Sequence, residues 1–373
     1  MKRRILLTFG TRPEAVKMAP VVRALRESST LEPVVCLTGQ HREMVEQILP
    51  LFEVRSDFDL DVMSHNQTPS DVAAAIFREL PAVLATVAPD LVLVQGDTST
   101  AMAAAVASHY AHLPVGHVEA GLRTGQMYQP FPEEANRKVI TAVSTLHFAP
   151  TRRAVAALES EGIVEGVFLT GNTVVDALHF LLEHLPELPA PEGRLLLVTA
   201  HRRESFGEPM RRICRAIQRI VRAHDDVVAL YPVHPNPNVR EPVYSILGEE
   251  PRVKLVEPLD YLRFVQVMAH CYFALTDSGG VQEEAPVLGK PVLVMREHTE
   301  RLEAVEAGCA ELVGTNEDLI VERAGRLLEN RDAYLAMSSP TSPFGDGHAA
   351  ARIVDAAEAF LGSSIAEPEP ATP

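Results

Sequence analysis

The chain is poor in cysteine, in long apolar runs and in positive charge, and each shortage removes a class of function. Four cysteines, Cys36, Cys214, Cys271 and Cys309, are scattered over 373 residues. No pair has metal-ligand spacing, so all four read as small buried residues. No apolar run is long enough to cross a bilayer. The segment Met1 to Leu7 turns polar soon afterwards and lacks the core of an export signal, so a cytoplasmic location is expected. Lys and Arg number 34 against 50 Asp and Glu, a formal charge of −16. That balance disfavours nucleic acid or an anionic membrane as the main partner. An anionic ligand would have to be met by individual basic side chains.

What is present is enough apolar material, 46% of 373 residues, for two domains with sizeable cores. Short β-rich runs alternate with longer amphipathic stretches. Strands are predicted at Ile5–Phe9, Val34–Thr38, Leu91–Gln95, Val115–Val118, Leu146–Ala149 and Val167–Thr170. After a Pro-rich connection at 186–193 they restart at Leu195–Thr199, Val227–Tyr231, Val253–Val256, Tyr272–Thr276, Val292–Met295 and Ala310–Val313. Met210, Ile213, Cys214, Ile217, Ile220 and Val221 recur at helical spacing and read as core. The alternation predicts an α/β protein of two Rossmann-like doubly wound domains facing across a cleft. Residues 1–170 would form the first domain, with a helix at 349–361 packing back on it. Residues 171–348 would form the second, and 362–373, rich in Pro, Glu and Ala, a disordered tail.

Ligands of such sheets bind beyond the carboxyl ends of the strands, so the loops there matter most. The run Thr276-Asp-Ser-Gly-Gly-Val-Gln-Glu-Glu-Ala285 is the most informative. Adjacent glycines at a helix start let the backbone approach a ligand, and free N–H groups favour a diphosphate. Glu284, about one and a half turns on, could accept from both ribose hydroxyls. The alternative on this segment alone is a Gly-rich turn with a solvated Glu pair. Elsewhere, Arg12 and Lys17 follow the first strand and Asp97 the third. Glu119 follows the fourth, with Glu133 and Glu134 beyond it. His201, Arg202 and His234 follow the first two strands of the second half. Taken singly, Asp97 could be a helix cap and Glu133 a dipole partner. Together they gather at one end of two sheets, as an active site does.

The chain resembles the non-hydrolysing UDP-N-acetylglucosamine 2-epimerases through ordered motifs along nearly its whole length. Among them are FGTRPEAVKMAP from Phe9, QGDTSTAMA from Gln95, PVGHVEAGLRTG from Pro114, PFPEEANR from Pro130, VTAHRRESFG from Val198 and LTDSGGVQEEAP from Leu275. The resemblance implies the fold of the two-domain nucleotide-sugar glycosyltransferases, called GT-B, and a homodimer. It implies reversible conversion of UDP-N-acetylglucosamine to UDP-N-acetylmannosamine for bacterial surface polysaccharides. By motif match Asp97, Glu119, Glu133 and His201 fall on catalytic positions. Arg12, Lys17, Phe264, Ser278, Gly279, Gly280, Glu284 and Arg301 fall on UDP-binding positions. Gln40, His41, Glu134, Arg202 and His234 match the site of an activating second UDP-N-acetylglucosamine. The chain departs from the family at Leu302 and Arg263, where Pro is common, and at Asn66, where some members place Arg.

The chemistry fits those residues. The sugar C2 proton is acidified only as UDP leaves C1, so elimination to a 2-acetamidoglycal and re-addition on the other face is expected. That route needs neither a nicotinamide cofactor nor a metal. Asp97 and Glu133 are expected to move protons, and Glu119 to orient or tune them. The rivals are a hydrolysing epimerase, a UDP-sugar glycosyltransferase and a nucleotide-sugar-binding sensor.

Overall fold

A computed structural model describes residues 2–40, 42–63, 67–128, 130–184, 193–338 and 342–363. His41, Asn66, most of the Pro-rich connection and the tail from 364 lie outside the described residues. The chain divides into two compact units, Met1–Phe180 with Phe344–Pro373, and Leu181–Pro343.

The first unit is built on seven parallel strands: β1 (Arg3–Phe9), β2 (Leu31–Leu37), β3 (Phe58–Asp59), β4 (Leu91–Gln95), β5 (Val115–Val118), β6 (Leu146–Ala149) and β7 (Val167–Leu169). Their order is β3-β2-β1-β4-β5-β6-β7, all pairs parallel. Every residue of β4 and β5 is buried, as expected where helices cover both faces of a sheet. The helix Arg12–Glu27 starts from Thr11, with Pro13 in its first turn and the Glu14 carboxylate accepting from the Thr11 N–H at 2.7 Å. Pro suits that turn because its missing N–H has no helical partner there. The helix Ala349–Ser363 packs against it. Asp176 accepts from the Ala349 and Ala350 N–H groups at 3.2 and 2.8 Å, and so caps the returning helix.

The second unit carries six parallel strands: β8 (Arg194–Thr199), β9 (Val227–Pro232), β10 (Val253–Val256), β11 (Phe273–Thr276), β12 (Val292–Val294) and β13 (Ala310–Leu312), in the order β10-β9-β8-β11-β12-β13. The stripe Met210, Ile213, Cys214, Ile217, Ile220 and Val221 lies inside its core, each residue at most 1% exposed. All four cysteines are free and buried, and burial pushes the thiols of Cys36, Cys214 and Cys271 up to about 12.

Three α-helices were not anticipated from the sequence, Pro237–Leu247, Leu302–Glu306 and Arg331–Ser338. The first begins in His-Pro-Asn-Pro, which reads as a loop. Its Asn236 side chain accepts from the Asn238 N–H at 2.9 Å, and Pro237 falls where a helix tolerates it. Among the described residues no helix is long and apolar enough to cross a membrane, and no cluster of His, Cys, Asp or Glu is arranged to hold a metal.

Candidate active site

In the first unit the polar groups sit where β1, β4 and β5 end. Glu119 follows β5 in a left-handed backbone conformation, φ +67°. Its carboxylate meets the Lys17 ammonium at 2.6 Å, the Asn172 amide at 3.5 Å and the Gln95 side-chain amide. Asp97, after β4, faces the Arg137 guanidinium at 2.6 Å, and its backbone carbonyl accepts from the Asn136 side chain at 2.8 Å. Asp97 keeps 28% of its side chain exposed, so a ligand can still reach it. Glu133 opens the helix Glu133–Val143 that carries Asn136 and Arg137. One Glu133 oxygen, Oε2, is buried without a hydrogen-bond partner among the described residues. A buried carboxylate oxygen left so is costly unless a proton or a ligand completes it.

Glu134, the next residue, is placed differently. Its side chain is fully buried, accepting from the Thr124 and Gly125 N–H groups at 3.1 and 3.2 Å and pairing with Arg137 at 2.8 Å. Burial opposes its ionisation, but those donors outweigh burial and lower its pKa. Glu134 thus braces the loop after β5 rather than presenting itself at a surface.

The loop after β1 is tied to the loop after β4 by Glu14. Its buried carboxylate accepts from the Gly10 and Thr11 N–H groups at 2.8 and 2.7 Å and from the Thr98 hydroxyl. Burial raises its pKa against those bonds. Gly10 itself has no room for a side chain, because a Cβ there would stand 1.8 Å from Thr38 Oγ1. Arg12 is exposed on the first helical turn and makes no hydrogen bond or ion pair among the described residues. Gln40, half-buried, accepts from the Thr100 hydroxyl.

In the second unit the loops after β8 and β11 are joined by Asp277, which is fully buried. Its Oδ2 accepts from the His201 and Arg202 N–H groups at 2.7 and 2.8 Å, and its Oδ1 lies 3.3 Å from His201 Nδ1. The His201 ring, 41% exposed, stacks on the His234 ring at 5.7 Å between centroids. Arg202 donates to the Asp277 carbonyl at 3.1 Å. Burial and the neighbouring Arg296 lower its pKa.

Ser278 precedes the helix Gly279–Val287. The Arg301 guanidinium lies over Gly279, where a Cβ would come within 3.2 Å of its central carbon, while a Cβ at Gly280 would meet Ser278 Oγ at 3.9 Å. Two carboxylates hold Arg301 there, Glu283 at 3.0 Å and Glu300 at 3.4 Å. Burial would raise the Glu300 carboxyl, but Arg301 and Arg296 outweigh it and hold it at about 2. Glu284 is 7% exposed and accepts from the Tyr261 hydroxyl at 3.1 Å. Phe264 is half-buried in the first turn of the neighbouring helix Tyr261–His270.

Each unit therefore gathers its own share of the expected residues. Lys17, Asp97, Glu119 and Glu133 surround the ends of β4 and β5. His201, Arg202 and His234 form one group, with the Ser278–Gly280 turn joined to it through Asp277. Sequence reasoning missed Glu14, Asp277, Glu283, Glu300 and Arg137, which hold the expected residues in place. Their motifs were visible, but each acts on a group remote in sequence.

The chain matches the family described as UDP-N-acetylglucosamine 2-epimerase over residues 23–358. It is 48% identical to the UDP-N-acetylglucosamine 2-epimerase of Escherichia coli K12 over 367 residues, 95% of this chain and 98% of that protein. The crystal structure of UDP-GlcNAc 2-epimerase from Neisseria meningitidis bound to UDP-GlcNAc superposes with a TM-score of 0.89 at 44% identity, covering 94% of this chain and 98% of that one. The calicheamicin glycosyltransferase CalG4 shares the fold alone, with a TM-score of 0.61 at 16% identity over 98% of this chain and 100% of that one. On the family match and the identity to the Escherichia coli protein, the chain belongs to the UDP-N-acetylglucosamine 2-epimerase family.

Proposed function

We propose that this chain interconverts UDP-N-acetylglucosamine and UDP-N-acetylmannosamine without hydrolysing either. The C1–O bond breaks with its electron pair leaving on UDP, and a carboxylate takes the C2 proton. The resulting 2-acetamidoglycal is then re-protonated at C2 on the other face while UDP re-adds at C1. What carries this reading is the carboxylate arrangement of the first unit. Asp97 and Glu119 stand at the ends of two paired strands, with the unpartnered oxygen of Glu133 on the helix that also holds Asp97. Asp97 and Glu133 transfer protons, and Glu119, fixed by Lys17, orients them.

The groups of the second unit suit the nucleotide. The Ser278–Gly280 turn and Arg301 receive the diphosphate, as N–H groups at a helix start and a guanidinium do. Glu284 takes the ribose hydroxyls, and Phe264 lies in the neighbouring helix as a further contact for the nucleotide. His201 and Arg12 stabilise charge that develops on the departing UDP. Family membership supports the rest of the proposal: a cytoplasmic homodimer serving surface-polysaccharide synthesis, activated by a second UDP-N-acetylglucosamine at a site that includes Gln40, His41, Glu134, Arg202 and His234.

Incubation of the purified chain with UDP-N-acetylglucosamine alone in D₂O tests the reading. Deuterium at C2 and a manno epimer still attached to UDP are expected. Free N-acetylmannosamine with UDP would mark a hydrolysing enzyme, and untouched substrate would mark a transferase or a sensor.

A further inference from the structure

His117 plays no part in the chemistry just described, yet it occupies a costly position. It lies within β5, opposite Val94 of β4 and His147 of β6, and is 0% exposed. One ring nitrogen, Nε2, is 2.7 Å from the Gly96 carbonyl oxygen. A carbonyl can only accept, so Nε2 carries the proton and Nδ1 is bare. Nδ1 is buried with no hydrogen-bond partner among the described residues. An apolar residue would avoid that cost, unless the bond made by Nε2 is needed. Burial pulls the His117 pKa down to about 3, and that of His147 to about 4, so neither ring carries charge near neutral pH.

The bond falls one residue before Asp97. Gly96 has φ +72°, and its N–H donates to the Val118 carbonyl at 3.0 Å. Both polar ends of Gly96 are thus held by β5. The peptide unit is planar, so fixing the Gly96 carbonyl also fixes the Asp97 nitrogen and Cα. On the far side, Asn136 holds the Asp97 carbonyl at 2.8 Å, and Arg137 holds the carboxylate. Asp97 is mounted at three points, and His117 supplies the one nearest its Cα.

We infer that His117 is a positioning residue, which through the Gly96 carbonyl sets the direction in which Asp97 points. The inference rests on the proposed role of Asp97 as a proton-transfer group. Misplacing a reacting group by about 1 Å can cost on the order of 100-fold in rate.

The test compares wild type with H117Q, whose amide nitrogen reaches close to the place of Nε2, and with H117L, which has no donor. Turnover of UDP-N-acetylglucosamine, affinity for UDP, thermal unfolding and crystal structures are measured for each. H117L is expected to lower kcat by about 10–100-fold with KM and UDP affinity near wild type, and H117Q to restore kcat. In a D97N background H117L should cause little further loss, because a residue acting through Asp97 has nothing left to position. Wild-type kcat in H117L, or an equal loss in both backgrounds, overturns the inference. If H117L does not fold, H117Q decides: near-normal kcat supports the inference, and a loss above about tenfold at unchanged melting temperature overturns it. A wild type that leaves UDP-N-acetylglucosamine unchanged refutes the proposed function instead. The crystal structures then decide the positioning role. Asp97 drawn away from Arg137 in H117L but not in H117Q supports it, and Asp97 unmoved in H117L overturns it.

Discussion

Lys17 and Glu119 form a buried ion pair, Nζ to Oε1 2.6 Å, with side chains only 10% and 8% exposed. Removing one partner of such a pair strands the other charge away from water, at a cost of about 3–5 kcal/mol. The Gln95 and Asn172 amides still donate to Glu119, so K17M should fall at the lower end of that range. Urea unfolding measures it. A K17M variant as stable as wild type would mean that water reaches Glu119 freely and that the pair is not what holds it.

Asp97 and Glu133 are expected to behave as proton-transfer groups and not as supports. D97N and E133Q should each lower kcat by about 10²–10⁴-fold, the usual contribution of a general acid or base. Both amides preserve shape, and UDP affinity should stay near wild type, because neither residue is among those assigned to the nucleotide. Deuterium incorporation at C2 separates the two roles. Near-normal turnover in either variant removes that residue from the mechanism.

Much of this arrangement was legible in the sequence because it depends on local pattern. β4, β5, β6 and β10 begin and end where their apolar runs do. Asp97 and Glu119 were visible because Glu119 directly follows such a run and Asp97 follows one after a single glycine. The two-residue β3 was not, since two residues carry no periodicity. The supporting groups were hidden for another reason. Asp277 holds N–H groups 76 and 75 residues away, and Arg137 reaches a carboxylate 40 residues away. Such partners meet only because β8 lies beside β11, and because the helix after β5 returns to the end of β4. No local rule states either fact.

Asp277 is expected to govern the loop that carries His201. One of its oxygens accepts two backbone N–H bonds, and the side chain is fully buried. D277A would leave both N–H groups without their acceptor, at about 1–3 kcal/mol each. Lower stability and a lower kcat should therefore appear together, with His201 displaced from His234 in a crystal structure. D277N keeps one carbonyl oxygen as acceptor and should lose less of both. An alanine variant with His201 still stacked on His234 would show that the loop is held by something else.

Glu300 is expected to make the second unit sensitive to acid. Its side chain is 10% exposed between Arg296 and Arg301, which hold its carboxyl at about 2, well below the ordinary range of a glutamate. A carboxyl depressed by folding binds its proton more tightly when unfolded, so its contribution is fully present above the unfolded value. It is lost as pH falls from about 5 towards 2. A shift of this size corresponds to about 3 kcal/mol. The stability difference between wild type and E300Q should therefore be largest at neutral pH and shrink across that window, as read by urea unfolding at a series of pH values. Affinity for UDP should fall in E300Q at neutral pH as well, because Arg301 loses one of the two carboxylates that hold it over Gly279. A stability difference that stays flat from pH 7 to about 2 would show that Arg296 and Arg301 do not hold Glu300 ionised in the folded chain.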